Sequence, residues 1–482
     1  MKRFGTVAVI AALLLATALF YRFRGEEATP DTRTPTPPVT ERPTAPPTPT
    51  MHATKAGVLT LSADSSHGYM LSDSAQEVYA AIDIAAQQID GGERPPLNIS
   101  LVIDRSGSMR GSKMENAKSA AIALIDKLRP QDRISIVSYA TDVEVTMPST
   151  MARGTDIGAM QRQIRDMRAA GGTNIAGGYT YGVEEVKKFM RDDTINRVIL
   201  VSDGEATIGN TNPDVFRKMA QTYRAQGVSL STIGVGLDYN EDLMAGMADE
   251  GAGNYYFVDA PSSAVAIFER ELDSLAKTVA KNTAVLLSFG DGVILEDVYG
   301  FAHQNVGSKV AISLAEFQSG ENKNILLKLR VDPSKGGVFP LMNATLSYKD
   351  MQQSDLNTQI VALESVRTED VELAKSKVNV EVIGRVQQIE VAESLKDAMT
   401  AYEAGRDEEA KEVLRKSQRR VQAASDKYQF KSEAVGRAGG ELKDALDAVN
   451  KPAATFEERE RTVKYKKSKS RNMKRSDSID LW

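Results

Sequence analysis

Cysteine is absent from all 482 residues. Disulfide scaffolds, thiolate metal sites, iron–sulfur clusters, a cysteine nucleophile and a cysteine-linked lipid are therefore excluded. Histidine is nearly as scarce. His52, His67 and His303 are scattered along the chain, which argues against a three-histidine zinc centre and leaves few candidates for a histidine general base. A basic body is missing too. The formal net charge is −5, yet eight basic residues and no acidic one fall between Arg461 and Arg475, so the rest of the chain is more acidic than the total. A dedicated nucleic-acid protein shows the opposite, a basic folded face, and no nucleic-acid partner is expected. The segment 453–482 reads as a basic, solvated, disordered tail, with attraction to an anionic surface or polymer as the alternative.

What is present is ordinary for folded domains: 41% hydrophobic and 26% charged residues, in a length that suits about three domains. The two ends of the chain differ from that average. Lys2 and Arg3 precede an uncharged, mostly apolar run from Gly5 to Tyr21, closed by Arg22 and Arg24. At 1.5 Å per residue such a run reaches about 25 Å, the short end of what crosses a bilayer. Ala16-Thr17-Ala18 also offers a signal peptidase a cleavage pattern. Residues 1–24 are thus a signal anchor or a signal peptide, the uncleaved anchor being favoured, and the bulk of the chain is expected outside the cytoplasm at the cell envelope. Between Thr29 and Thr50 lie eight prolines and eight threonines. Proline fixes φ and donates no backbone hydrogen bond, so 25–55 reads as an extended linker holding the folded part off the membrane.

Residues 56–95 are strand-like, as in Val58-Leu59-Thr60-Leu61 and Val78 to Ile84, and Pro95-Pro96 ends them. Strands and helices then alternate through 96–281. Leu97 to Ile103 is a nearly continuous apolar run, as a strand covered on both faces requires. Further strands are expected at 133–139, 197–202, 228–235 and 255–258, with helices near 175–190, 213–226 and 241–248. That order predicts an α/β fold, a doubly wound, Rossmann-like and mostly parallel sheet. The segment 282–377 returns to strands separated by Gly, Asp and Asn, which suggests a β-sandwich. The strands before Pro95 have too few partners of their own, so the α/β domain is predicted to be inserted within one sandwich. In 378–452 apolar residues recur at helical spacing, for example Leu395, Ala398, Met399 and Tyr402, and a helical hairpin region is expected.

Chemistry concentrates in Asp104-Arg105-Ser106-Gly107-Ser108-Met109, which follows the buried strand directly and precedes a helix. Open α/β sheets bind ligands at the carboxyl ends of their strands. Asp and Ser there would also serve as plain helix caps. Gly171-Gly172-Thr173-Asn174 opens a second helix, and Ser202-Asp203-Gly204 ends a second buried strand. In a doubly wound sheet these three loops converge on one edge. Three hydroxyls and two carboxylates around a point suit Mg²⁺, and Ca²⁺ or Mn²⁺ less selectively.

From about Pro96 to Lys281 the chain resembles the von Willebrand factor A (VWFA) domain family, with all three parts of its metal-ion-dependent adhesion site (MIDAS) in order. The resemblance implies that Ser106, Ser108 and Thr173 touch the metal through hydroxyls, while Asp104 and Asp203 bind mainly through water. The flanking strands and trailing helices are similar in layout to inter-α-trypsin-inhibitor heavy chains, in a bacterial exported form. Mg²⁺ wants six oxygens and gives up water reluctantly. Neutral hydroxyls and outer-sphere carboxylates leave it under-neutralised, so a partner protein's Asp or Glu is expected to supply the missing anion. Arg105 and Met109 are candidate loop contacts to such a partner. The expectation is a metal-dependent protein-binding module with no catalytic residue. The alternatives are a structural envelope scaffold whose domain packs intramolecularly, or a metal-dependent hydrolase, for which Ser274-Leu275-Ala276-Lys277 is a serine–lysine pattern lacking its companion motifs.

Overall fold

The computed structural model describes residues 52–473, apart from 72–74, 90–93, 153–156, 205, 237–238, 259–260, 315, 333–336, 354, 429–432 and 452–454. The expected anchor at 1–24, nearly all of the linker at 25–55 and the last nine residues lie outside them. Among the described residues no helix is long and apolar enough to cross a membrane.

Four strands come first: β1 (His52–Ala56), β2 (Leu59–Ser65), β3 (Tyr69–Leu71) and β4 (Gln76–Ala86). The inserted α/β unit follows as β5 (Leu97–Asp104), α1 (Ser112–Asp126), β6 (Arg133–Tyr139), β7 (Val143–Met151), α2 (Ile157–Asp166), α3 (Ile175–Lys187), β8 (Ile195–Ser202), α4 (Pro213–Ala225), β9 (Ser229–Val235), α5 (Glu241–Glu250), β10 (Ala252–Val258) and α6 (Pro261–Ala276). Its six strands run in the order β10-β9-β8-β5-β6-β7, parallel except for β7, which is antiparallel to β6. Every residue of β5, β8 and β9 is buried. Their side chains alternate between two cores. Ile99, Leu101 and Ile103 meet Met114, Ala121 and Leu124 of α1 and Phe268 of α6 on one face. Val102, Val198 and Leu200 meet Tyr179 and Val183 of α3, Phe216 of α4 and Leu243 of α5 on the other. At Gly182 a Cβ would lie 2.4 Å from Val102 Cγ2, so glycine lets α3 sit directly on the sheet.

The chain then re-enters the sandwich with β11 (Thr278–Phe289), β12 (Val293–Tyr299), β13 (His303–Val306), β14 (Lys309–Ser313), β15 (Phe317–Gln318), β16 (Asn322–Val331), β17 (Val338–Asp350) and β18 (Leu356–Thr368). The two faces are a five-stranded sheet, β1-β2-β4-β16-β12, and a seven-stranded sheet, β13-β14-β11-β17-β18-β3 with β15 also paired to β11. β4 pairs antiparallel with β16 from Gln76↔Val331 to Asn322↔Ala85, so strands on either side of the α/β unit complete one sheet. Leu59, Leu61, Ile82, Leu327, Leu287 and Leu346 fill the layer between the sheets.

After a short helix, α7 (Val371–Ser376), four long helices close the structure: α8 (Val380–Glu403), α9 (Asp407–Tyr428), α10 (Glu433–Asn450) and α11 (Phe456–Met473). α8 lies on the sandwich, packing Val382, Val386 and Ile389 on Ala81 and Leu326. The expectation of a disordered tail over 453–482 is corrected by α11. Val463 and Met473 join the core of the helical layer, and the basic residues meet acids elsewhere in the fold. Lys466 and Lys469 hold Glu441 at 3.1 and 2.7 Å, Lys467 reaches Glu403 at 2.6 Å, and Arg471 reaches Asp249 of α5 at 3.3 Å. Despite its burial, the Glu441 carboxyl stays below its ordinary range because both ammoniums bond to it. A charge run read alone looks solvated; here the acids that balance it are distant in sequence.

Candidate metal site

The carboxyl ends of β5 and β8 lie side by side, with Ile103 opposite Val201. That pairing carries Asp104 and Ser202 to the same edge of the sheet. Asp104 is fully buried and both of its oxygens are used: Ser106 N–H donates to Oδ1 at 2.8 Å and Ser202 Oγ to Oδ2 at 2.6 Å. Burial pushes its carboxyl up to about 6, against the lowering effect of the bonds from Ser202 and Ser106. Ser106 is buried, and its Oγ lies 3.0 Å from that of Ser108, which faces solvent.

The second loop is tied to the first through its backbone. Gly107 N–H donates to Gly171 O at 2.9 Å and Ala170 N–H to Arg105 O at 2.8 Å. Thr173 is buried; its N–H donates to Thr207 Oγ1 at 2.8 Å, and its carbonyl accepts from the N–H groups of Thr207 and Ile208. Thr141 Oγ1 takes the Gly172 N–H. On the third loop, Asp203 is buried with its carbonyl held by Asn240 N–H at 3.2 Å. Its Oδ2 faces the Lys113 ammonium of α1 at 3.3 Å, while Oδ1 is buried with no hydrogen-bond partner.

All five residues singled out from sequence thus sit on three loops bonded to one another at one sheet edge. Met109 does not serve as a partner contact: it is fully buried against the α1 side of the sheet, because the turn after Ser108 folds its side chain inward. Arg105 stays half-buried, near Glu144 at 4.0 Å and Ser138 at 3.3 Å. Sequence reasoning missed Lys113, Thr141, Ser202 and Thr207 as supports. Ser202 was readable as the neighbour of Asp203; the others carry no local signal.

The donors are hard oxygens, one carboxylate oxygen is buried without a partner, and the hydroxyl-bearing loops are bonded to one another at the same sheet edge. Such a set fits a small divalent cation better than a softer metal. Among the described residues no group of three or more His, Cys, Asp or Glu stands ready to hold a metal.

The serine–lysine pattern lies elsewhere, on α6, lining a cavity of about 800 Å³ between the α/β unit, the sandwich and α11. Ser274 Oγ accepts hydrogen bonds from the side-chain amides of Asn254 and Gln318, and the Lys277 N–H donates to the Ser274 carbonyl at 3.2 Å. Both of these partners are amide N–H donors, which hold the hydroxyl in place.

Residues 98–270 match the family described as von Willebrand factor type A domain, and this part of the chain is such a domain. Protein YfbK of Escherichia coli K12 is 33% identical over 223 residues, 46% of this chain. The chain spans only 38% of that relative's length. Bovine inter-alpha-trypsin inhibitor heavy chain H4 is 29% identical over 164 residues, 33% of this chain and 18% of that one. A solved von Willebrand factor type A structure from Catenulispora acidiphila, 17% identical, covers 84% of this chain and 93% of its own with a TM-score of 0.66. The shared fold therefore extends well beyond the α/β domain.

Proposed function

We propose that this chain is a metal-ion-dependent protein-binding module of the cell envelope, exported and held by its N-terminal segment. Its type A domain takes up Mg²⁺, with Ca²⁺ or Mn²⁺ as substitutes, and through it receives an Asp or Glu carboxylate of a partner protein. The observation that carries this reading is the buried, unpartnered Oδ1 of Asp203 beside the hydroxyl-bearing loops. A buried carboxylate oxygen left without a partner is costly unless a ligand satisfies it. Ser106, Ser108 and Thr173 would hold the ion through hydroxyls, and Asp104 and Asp203 through water. The bound ion would supply a positive, exchangeable coordination position facing solvent.

What the chain itself does is rigid positioning. Ser202 and the Ser106 amide fix both oxygens of Asp104, Thr207 fixes the Thr173 backbone, and Asn240 fixes that of Asp203. Nothing in this arrangement requires a covalent step, and binding is the proposed activity. The test is a pull-down from envelope extract using the full chain, with Mg²⁺ or with EDTA, alongside the double variant Asp104→Ala, Ser106→Ala. Partner capture should vanish with EDTA and in the variant, while circular dichroism reports an intact fold. Capture that persists unchanged in both arms refutes the reading.

A further inference from the structure

Lys113 is the second residue of α1, and its ammonium touches a site carboxylate, at 3.3 Å from Asp203 Oδ2. Its stem is seated in a groove that the backbone keeps open. Gly236, just after β9, has φ +89° and no side chain; a Cβ there would fall 2.4 Å from Lys113 Cε and 3.2 Å from Cδ. The lysine side chain is only 19% exposed. Three elements thus fix one positive charge at this edge: the start of α1, the turn after β9 and the end of β8. The other nearby cations are differently engaged, Arg105 beside Glu144 and Arg110 turned to the Ala169 carbonyl.

Charge counting gives this lysine a consequence. In formal charge Asp104 and Asp203 equal a bound dication, although through water they neutralise it only in part, and the Lys113 ammonium adds one further positive charge beside Asp203. We propose that Lys113 is the residue that sets the charge demand of the site: its fixed ammonium leaves the loaded edge with one unbalanced positive charge, which a single carboxylate of the partner cancels. The inference rests on the metal-dependent binding reading above and adds which residue determines the preference for an anionic ligand. Because the same ammonium repels the ion, Lys113 weakens metal uptake while strengthening acid recognition. The two effects have opposite signs, which a merely structural role would not produce.

The experiment uses the full chain and two probes: Mn²⁺ alone, and a short peptide with one glutamate compared with its glutamine counterpart on the Mn²⁺-loaded protein. Lys113→Met keeps the stem and removes the charge. It should bind Mn²⁺ about tenfold tighter and the glutamate peptide about tenfold more weakly, so that the glutamate-over-glutamine preference collapses. Lys113→Arg should restore the preference. If Lys113→Met does not fold, Lys113→Gln carries the same expectations. Equal-sign changes, or no change in either probe, overturn the role of Lys113 while the metal site stands. A native chain that takes up no Mn²⁺ overturns both this inference and the function beneath it.

Discussion

The type A domain has charged groups buried at two opposite ends of its sheet, and they are handled differently. At the carboxyl ends of β5 and β8, one of two carboxylates, Asp203, meets an ammonium and one of its oxygens is left bare, while Asp104 is held by the Ser106 amide and the Ser202 hydroxyl. Near the amino-terminal ends of β8 and β9, Arg197 is fully buried between Glu271 of α6 and Glu316 of the sandwich; Ser231 binds both Arg197 and Glu271, and Ser229 Oγ donates to Glu316. Lys281 adds a bond to Thr194 O at 2.8 Å across the same junction. One end pairs its cation with two carboxylates, although Arg197 Nε stays without a hydrogen bond, and fastens the inserted domain to its host. The other is under-satisfied and rigid. Buried charge tells little about role; what differs is the atom left unmet, a donor inside a network of two ion pairs at one end and a carboxylate acceptor among polar loops at the other.

The sharpest way to break that contrast is Arg197→Met, which takes the ion-pair partner from the buried Glu271 and the half-buried Glu316. Urea unfolding should lose about 3–5 kcal/mol, while the Mg²⁺ affinity of the protein that remains folded is unchanged. An equal loss at both ends would mean that they are not separate. Next is Asp203→Asn at the ligand end. Calorimetric Mg²⁺ affinity should drop about 10- to 100-fold, with the unfolding midpoint moved far less than by Arg197→Met.

Glu241, at the start of α5, lies between the two extremes. Burial pushes its carboxyl up to about 7, against the pull of Arg471, Lys467 and Lys464, and its Oε2 has no hydrogen-bond partner. With the folded value raised, the carboxyl favours the folded state at low pH, and that contribution is lost as pH rises from about 4.5 through 7. Glu241→Gln should therefore stabilise the protein by about 2 kcal/mol at pH 8 and by almost nothing at pH 4, read as paired thermal melts. A gain that is independent of pH would show that this carboxyl titrates normally. The smallest effect is expected from Thr207→Val, which removes the acceptor of the Thr173 N–H. It should cost about 1 kcal/mol in unfolding and a few-fold in Mg²⁺ affinity.

Much of this was legible in the residues. The all-buried strands β5 and β8 appear as apolar runs because helices cover both faces; two loops of the site follow from where these strands end, and the third is marked by the glycine pair that opens α3. The split sandwich was legible because β2 and β4 alternate inward and outward residues without enough neighbours to bury them. β7 was not. It is an edge strand with little regular alternation in burial, so no period marks it. α11 was misread because its few apolar residues sit among lysines and arginines whose acids lie on α5, α8 and α10. Met109 was misplaced because its loop position says nothing of which way the turn folds.

Local order of strand, loop and helix, together with the residue types at strand ends, determined the class of fold and the donors available at one edge, since those depend on side-chain periodicity and on chemistry carried within a few positions. Which charges meet was decided only in three dimensions. Lys113 faces Asp203, Arg197 bridges to Glu316 and Lys464 reaches Tyr239 O because the packing of whole layers brings together groups separated by tens to hundreds of residues, and electrostatic pairing depends on distance in space rather than along the chain.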